Sequence, residues 1–235
     1  MKIAVALSTA ILALSTAAVA ADKSAPTSAA TSQKAAPKAK AKAKAKILDK
    51  HVIAATPVSP ERIQLAENVT IVPNMLDPAK RVGVLTHEGV FGPLLYAEKM
   101  RAFFIELKAG MYLEEHPHDA ESLIYTISGK WVLVSEGKRQ VIETGSVFHF
   151  GSRMPTGWET PFAGGALLYV VKSKKPGDNY QKFMDGISKM QADVDKQHKD
   201  GVPFYFNALK PDHPAVVFAK SVNPDFDAVL KNIPY

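Results

Sequence analysis

Cysteine is absent from all 235 residues. That excludes a disulfide framework, thiolate-held zinc, iron–sulfur clusters, a thiol nucleophile and a cysteine-linked lipid. It leaves the compartment open, because exported proteins need not carry disulfides. Also missing are the Gly-x-Ser-x-Gly turn of serine hydrolases, the phosphate-cradling P-loop and the Gly-rich dinucleotide fingerprint. Past residue 20 no apolar run is long enough to span a bilayer. Net charge is scarce where the chain is globular. The total is +6, but nine Lys against two Asp in residues 1–50 contribute +7, so the remainder stands at −1. No nucleic-acid partner is expected of a surface so nearly neutral. What the chain does have is an apolar share of 46%, enough to build a core and to exclude wholesale disorder.

The first 46 residues divide in two. Met1-Lys2, an Ala-rich apolar run and the small residues Ala18-Val19-Ala20 have the layout of a signal peptide over residues 1–20. Cleavage before Ala21 and a periplasmic or secreted protein are expected; an uncleaved anchor is the alternative. Residues 21–46 are almost entirely Ala, Lys, Ser, Thr and Pro, and Lys38, Lys40, Lys42, Lys44 and Lys46 alternate with Ala. Such a segment repels itself and has little to bury, so it reads as a disordered linker. It serves either as a solvated spacer or as an electrostatic contact with an anionic envelope surface.

Residues 47–175 read as a mainly β domain with an N-terminal lead-in. Short runs rich in Val, Ile, Phe, Tyr and Leu alternate with Gly, Pro and charged turns. Strands are expected at 81–86, 94–97, 100–107, 122–128, 130–135, 138–142, 146–150 and 165–172, with a tight hairpin at Glu136-Gly137. That many short strands suggest an antiparallel barrel or jelly roll. Residues 176–235 form a C-terminal helical extension expected to pack on the outside of the barrel. Tyr180, Phe183, Met184, Ile187, Met190 and Val194 recur at helical spacing, and Gly201 closes the run.

The chemistry concentrates at Gly110-x5-His116-x-His118, followed by Glu121, Ser122 and Gly129. Two His at i and i+2 in an extended segment point to one side, as a strand offers two imidazoles to one metal ion. After a fifteen-residue interval comes Gly145, then Pro155-Thr156-Gly157-Trp158. This cadence resembles the cupin superfamily, whose first motif is G-x5-H-x-H-x3,4-E-x6-G and whose second is G-x5-P-x-G-x2-H-x3-N. The resemblance covers residues 100–172 well, is weaker over 70–99 and does not reach 176–235. It implies an antiparallel jelly-roll barrel with an internal pocket, and homodimers are frequent in the superfamily.

The departures bear on function. Metal-binding cupins use two His and a Glu from the first motif and a His from the second. Here the positions in register are His116, His118, Ser122 and Thr156, so two of four ligands are replaced. Two imidazoles without a carboxylate seldom hold a divalent ion tightly. Glu121, one residue short of the motif, would complete the set if a turn or bulge at Asp119-Ala120 brought it inward. His87 and His149 are further candidates for a fourth ligand. Ser122, Thr156 and Trp158 are expected to line the pocket, Trp158 either stacking on a ligand or packing in the core. Two functions follow. One is an exported enzyme of dioxygenase, isomerase or lyase type using Fe, Mn, Zn or Ni on His116, His118 and Glu121. The other is a metal-free protein holding a small organic molecule in the same pocket.

Overall fold

The computed structural model describes residues 58–233. The expected signal peptide, the Lys-rich linker and residues 47–57 of the lead-in lie outside the described residues.

A short hairpin of β1 (Ile63–Ala66) and β2 (Val69–Ile71) forms a sheet of its own. The main sheet contains β3 (Val84–Thr86), β4 (Gly89–Tyr96), β5 (Met100–Leu107), β6 (Tyr112–Pro117), β7 (Ser122–Ser135), β8 (Lys138–Glu143), β9 (Val147–Phe150), β10 (Pro155–Glu159) and β11 (Ala166–Ser173). Their order is β3-β4-β5-β11-β7-β10-β6, with β8 and β9 also on β7. Helix α1 (Tyr180–Lys199), a 3₁₀ turn at Phe206–Ala208, α2 (Pro214–Val222) and α3 (Phe226–Leu230) follow. Every pairing is antiparallel, and the sheet curls into a half-barrel.

The period-2 alternation of the strands divides the core. Phe103, Ile105 and Leu107 of β5 and Leu168 and Val170 of β11 face inward, where they meet Leu113, Ile124, Trp131 and Trp158 from the far side of the curl. Ala102, Phe104 and Leu167 face the opposite way and pack with Val90 and Leu94. Trp131 is fully buried, and its indole N–H donates to Thr126 Oγ1 at 3.1 Å, so the largest interior side chain leaves no polar atom orphaned.

The expected strands at 100–107 and 138–142 and the hairpin at Glu136-Gly137 are found. Both turn residues have positive φ, 51° and 73°, the geometry whose twist matches a tight two-residue hairpin. Two expectations need revising. The strands at 122–128 and 130–135 are one strand, β7, running through Gly129; a Cβ there would meet the Gly165 carbonyl oxygen at 2.1 Å, so glycine admits a close crossing instead of ending the strand. β10, over the second-motif residues Pro155 to Glu159, was not among the expected strands.

Helix α1 starts at the N-cap Asn179, whose side chain accepts from the Lys182 N–H at 2.9 Å, and ends with Lys196, His198 and Lys199 in its last turn. Its apolar stripe packs on the sheet. Phe183 and Ile187 join the inward cluster with Phe91 and Phe103, so α1 covers the concave side next to β3 and β4. Burying those two side chains contributes roughly 1.5–3 kcal/mol each. Helices α2 and α3 carry Val216, Ala219 and Phe226, which pack with Phe206 on Tyr112.

Candidate metal and ligand site

β6 carries the His-x-His pair, and its pairing with β10 explains where the pair points. Thr156 stands opposite His116 and Trp158 opposite Leu113, so the register slips by one residue at Glu114-Glu115. This is a β-bulge. Gly157 fits against it, since a Cβ there would meet the Leu113 carbonyl oxygen at 2.5 Å. Because of the bulge, Leu113, His116 and His118 all share the inward face, although 113 and 116 differ in parity.

The two imidazoles lie 4.6 Å apart between ring centroids but have different surroundings. His118 is 6% exposed, packed on Phe150 with centroids 4.6 Å apart, and hydrogen-bonded through Nε2 to Thr156 Oγ1 at 2.7 Å. Burial, reinforced by the charge of Lys172, pulls its pKa down to about 4, so His118 is neutral at ordinary pH. His116 donates from Nδ1 to the Glu114 carbonyl at 3.0 Å, which turns Nε2 toward Glu88 Oε1 at 3.8 Å. The Glu88 carboxylate raises the His116 pKa against the opposing effect of burial.

Glu88 comes from the β3–β4 hairpin. Thr86 Oγ1 donates to the Gly89 carbonyl at 2.9 Å and accepts from the Glu88 N–H at 3.1 Å, which holds His87 and Glu88 at the tip. His87, Glu88 and His116 each present one ligand atom, and these atoms all lie within 4.8 Å of one another. Burial would raise the Glu88 carboxyl, but the contact with His116 and the charges of His87 and Lys172 outweigh it and hold the pKa at about 2. Burial lowers the pKa of His87, whose Nδ1 is buried without a hydrogen-bond partner. Lys172, inward on β11 in register with Ser122, is also lowered by burial.

The remaining predicted residues separate. Glu121 is on the surface, where its carboxylate accepts from His149 Nε2 at 2.8 Å, with the two side chains 61% and 52% exposed. The structure therefore brings neither Glu121 nor His149 to the His pair. Ser122 and Thr156 are inward and buried. Trp158 is 3% exposed and belongs to the core beneath His118, with ring centroids 6.0 Å apart. Glu88 escaped the sequence reading. Its local signal is a His-Glu dipeptide between Thr86 and Gly89, but nothing local says that this hairpin tip meets a strand nearly thirty residues on.

The resemblance to cupins implies a metal, and the donor set of His87, Glu88 and His116 fits one. Two imidazoles and a carboxylate suit Fe, Mn, Zn or Ni. His116 has its second nitrogen fixed by a carbonyl, as metal-bound imidazoles usually do. The Nδ1 of His87 is buried without a hydrogen-bond partner, so this ring has a nitrogen free of any competing contact. His118 departs from expectation, because Thr156 already engages its Nε2.

No family model matches the sequence, and no curated protein matches it. Among solved structures, the chain is similar to an RmlC-like cupin from Shewanella frigidimarina NCIMB 400, at 16% identity over 51% of this chain and 87% of that one, with a TM-score of 0.34. It is similar to the polyketide cyclase RemF from Streptomyces resistomycificus, at 21% identity over 39% of this chain and 70% of that one, with a TM-score of 0.36. It is also similar to the EutQ protein of Clostridium difficile, at 12% identity over 49% and 95% of the two chains, with a TM-score of 0.37. The described residues form a curled antiparallel sheet with a His-x-His strand on its concave face and helices at the C-terminal end, the architecture that the resemblance to cupins implies.

Proposed function

We propose that the barrel binds a small organic molecule beside one divalent metal ion held by His87, Glu88 and His116. The observation that carries this reading is the convergence of three ligand atoms within 4.8 Å, two of them on a hairpin tip and one on β6. The bound ion would act as a Lewis acid on a ligand oxygen or on dioxygen, the chemistry of a metal-dependent enzyme. Glu88 supplies the negative charge that two imidazoles lack. His118 remains with Thr156 as a neutral hydrogen-bonding group at the edge of the site. We also place the mature protein outside the inner membrane, beginning at Ala21, as residues 1–20 suggest; N-terminal sequencing of protein from an envelope fraction checks this.

The second reading, a metal-free binding protein, is favoured by one feature: His116 Nε2 already faces the Glu88 carboxylate at 3.8 Å, an ion pair whenever His116 is protonated. The two readings separate in one experiment. The purified protein is loaded in turn with iron(II), manganese(II), zinc(II) and nickel(II), desalted and analysed for metal. One equivalent retained by the wild type and none by His87→Ala or Glu88→Gln supports the metal site. No metal retained by the wild type leaves the metal-free reading.

A further inference from the structure

Between α1 and the concave sheet, next to Glu88, lies a cavity of about 250 Å³. One wall is apolar, made by Phe91, Phe103, Phe183 and Ile187. The other is mostly cationic, with Arg101, Lys172 and Lys182 against the one carboxylate of Glu88. Lys172 of β11 and Arg101 of β5 are register partners on adjacent strands, both inward and both lining the cavity. Like charges placed directly opposite in a sheet destabilise it. Arg101 has partial relief: an NH1 contact with Asp178 at 3.7 Å and a position 5.0 Å over the Phe183 ring, although its Nε is buried without a partner. Lys172 feels the Glu88 carboxylate only through space, since among the described residues its ammonium makes no hydrogen bond or ion pair. Lys182, a third cation on the rim, gives its ammonium to the Gly177 carbonyl at 2.8 Å.

Three cations against the single Glu88 carboxylate leave the cavity lining with an excess of positive charge, and the Lys172 ammonium has no direct partner. We propose that this cavity takes a small organic carboxylate with an apolar body, its carboxylate on Lys172 and Arg101 and its body against Phe91, Phe103 and Phe183. The inference rests on the reading of the barrel as a small-molecule site, whose substrate class it names, and not on the metal. A monoanion fits better than a phosphate, because the Glu88 carboxylate lines the same cavity and repels a second negative charge. The volume sits just under the usual range of ~300–1,000 Å³ for ligand pockets, which limits the body to roughly one ring or a short chain. Charge-assisted hydrogen bonds from a desolvated ammonium and guanidinium select the ionised acid over its neutral isosteres.

The test is calorimetric titration of the full chain with benzoate and hexanoate, and with benzamide and hexanamide as neutral counterparts. It is run on chelator-treated protein and again after metal loading. At least one acid is expected to bind about tenfold or more tighter than its amide. Lys172→Met should reduce acid binding to the amide level, and Lys172→Arg should retain it. The unfolding midpoint of Lys172→Met should be unchanged or higher, because a half-buried charge without a direct partner is gone. Acids that bind no tighter than their amides overturn the proposal, as does saturable binding of none of the four. Because the wild-type comparison needs no variant, a misfolded Lys172→Met leaves the test intact. Carboxylate binding without metal retention supports the anion pocket and removes the metal site; metal retention without carboxylate binding does the reverse.

Discussion

Two carboxylates buried in this barrel are in opposite electrostatic states. Glu88 lies on the concave side at a hairpin tip, and its pKa is held at about 2. Glu159 ends β10 on the outward side, and its pKa is pushed up to about 7. Burial raises both, and Glu159 is the more enclosed at 1% exposure against 16% for Glu88. The decisive difference is the company each keeps. Glu88 faces His116, His87 and Lys172, so its charge is stabilised from several sides. Glu159 has one cation, with Arg139 Nε donating to Oε1 at 3.0 Å, while Oε2 is buried without a partner and Glu115 adds repulsion. One ion pair does not compensate full desolvation. The inner carboxylate is thus a standing anion able to receive a cation, and the outer one is a strained structural pair.

The comparison is broken most sharply at the inner carboxylate. Glu88→Gln keeps the shape of the side chain and removes the only carboxylate among the three candidate ligands. Metal affinity should fall by about a thousandfold or more, roughly 4 kcal/mol, in a competition titration against a chelating dye. Glu159→Gln should leave it unchanged. Equal losses in the two variants would show that the site does not depend on Glu88.

At the outer carboxylate the effect is on stability. The folded-state pKa of about 7 exceeds the ordinary 4.5. Between those pH values the folded protein holds a proton that the unfolded chain has lost, so stability falls as pH rises through the window. Relative to Glu159→Gln, the wild type should lose on the order of 2–3 kcal/mol between pH 4.5 and 7.5, read from urea unfolding at stepped pH. A flat difference would mean that Arg139 alone neutralises Glu159.

A third, smaller effect separates the two histidines. Thr156→Val removes the hydrogen bond to His118 Nε2 and leaves that nitrogen unsatisfied in a buried position. The cost should be about 1–2 kcal/mol of folding stability, by denaturant titration, with metal retention as in the wild type. Loss of metal with a small stability change would instead bring His118 into the ligand set.

What could be read in advance follows the range of the interactions involved. The His-x-His geometry is local, so a period of two sufficed to put His116 and His118 on one face. Thr156 was assigned to the second-motif His position by counting from Gly145, and it does meet His118. The amphipathic stripe of α1 was equally legible in the spacing of Phe183 and Ile187. Which surface the stripe covers depends on the curl of the whole sheet, and no pattern within the helix encodes that. Glu88 stayed hidden for the same reason, since its meeting with His116 is created by the β4–β5–β11–β7–β10–β6 order and not by spacing. β10 is not legible locally, since Pro155 and Gly157 carry turn propensity, which the bulge on β6 turns to another use.

The smallest effect tests the most local of these readings. Glu121 is one residue out of step with the cupin carboxylate position, and only a turn at Asp119-Ala120 could have carried it inward. In the structure Ser122 keeps the inward position at 1% exposure, and the alternation of the strand leaves Glu121 on the surface with His149. An exposed pair of this kind contributes little, because solvent screens it and two mobile side chains must be ordered to form it. Glu121→Gln should therefore change folding stability by less than about 0.5 kcal/mol and leave metal stoichiometry as in the wild type. Its effect should match that of His149→Gln, since each removes the same surface contact. A Glu121→Gln variant that loses metal while Glu88→Gln keeps it would exchange the roles of the two carboxylates. The hairpin tip at His87-Glu88 would then be a structural feature of the barrel, and the ligand set would return to the spacing of the first motif.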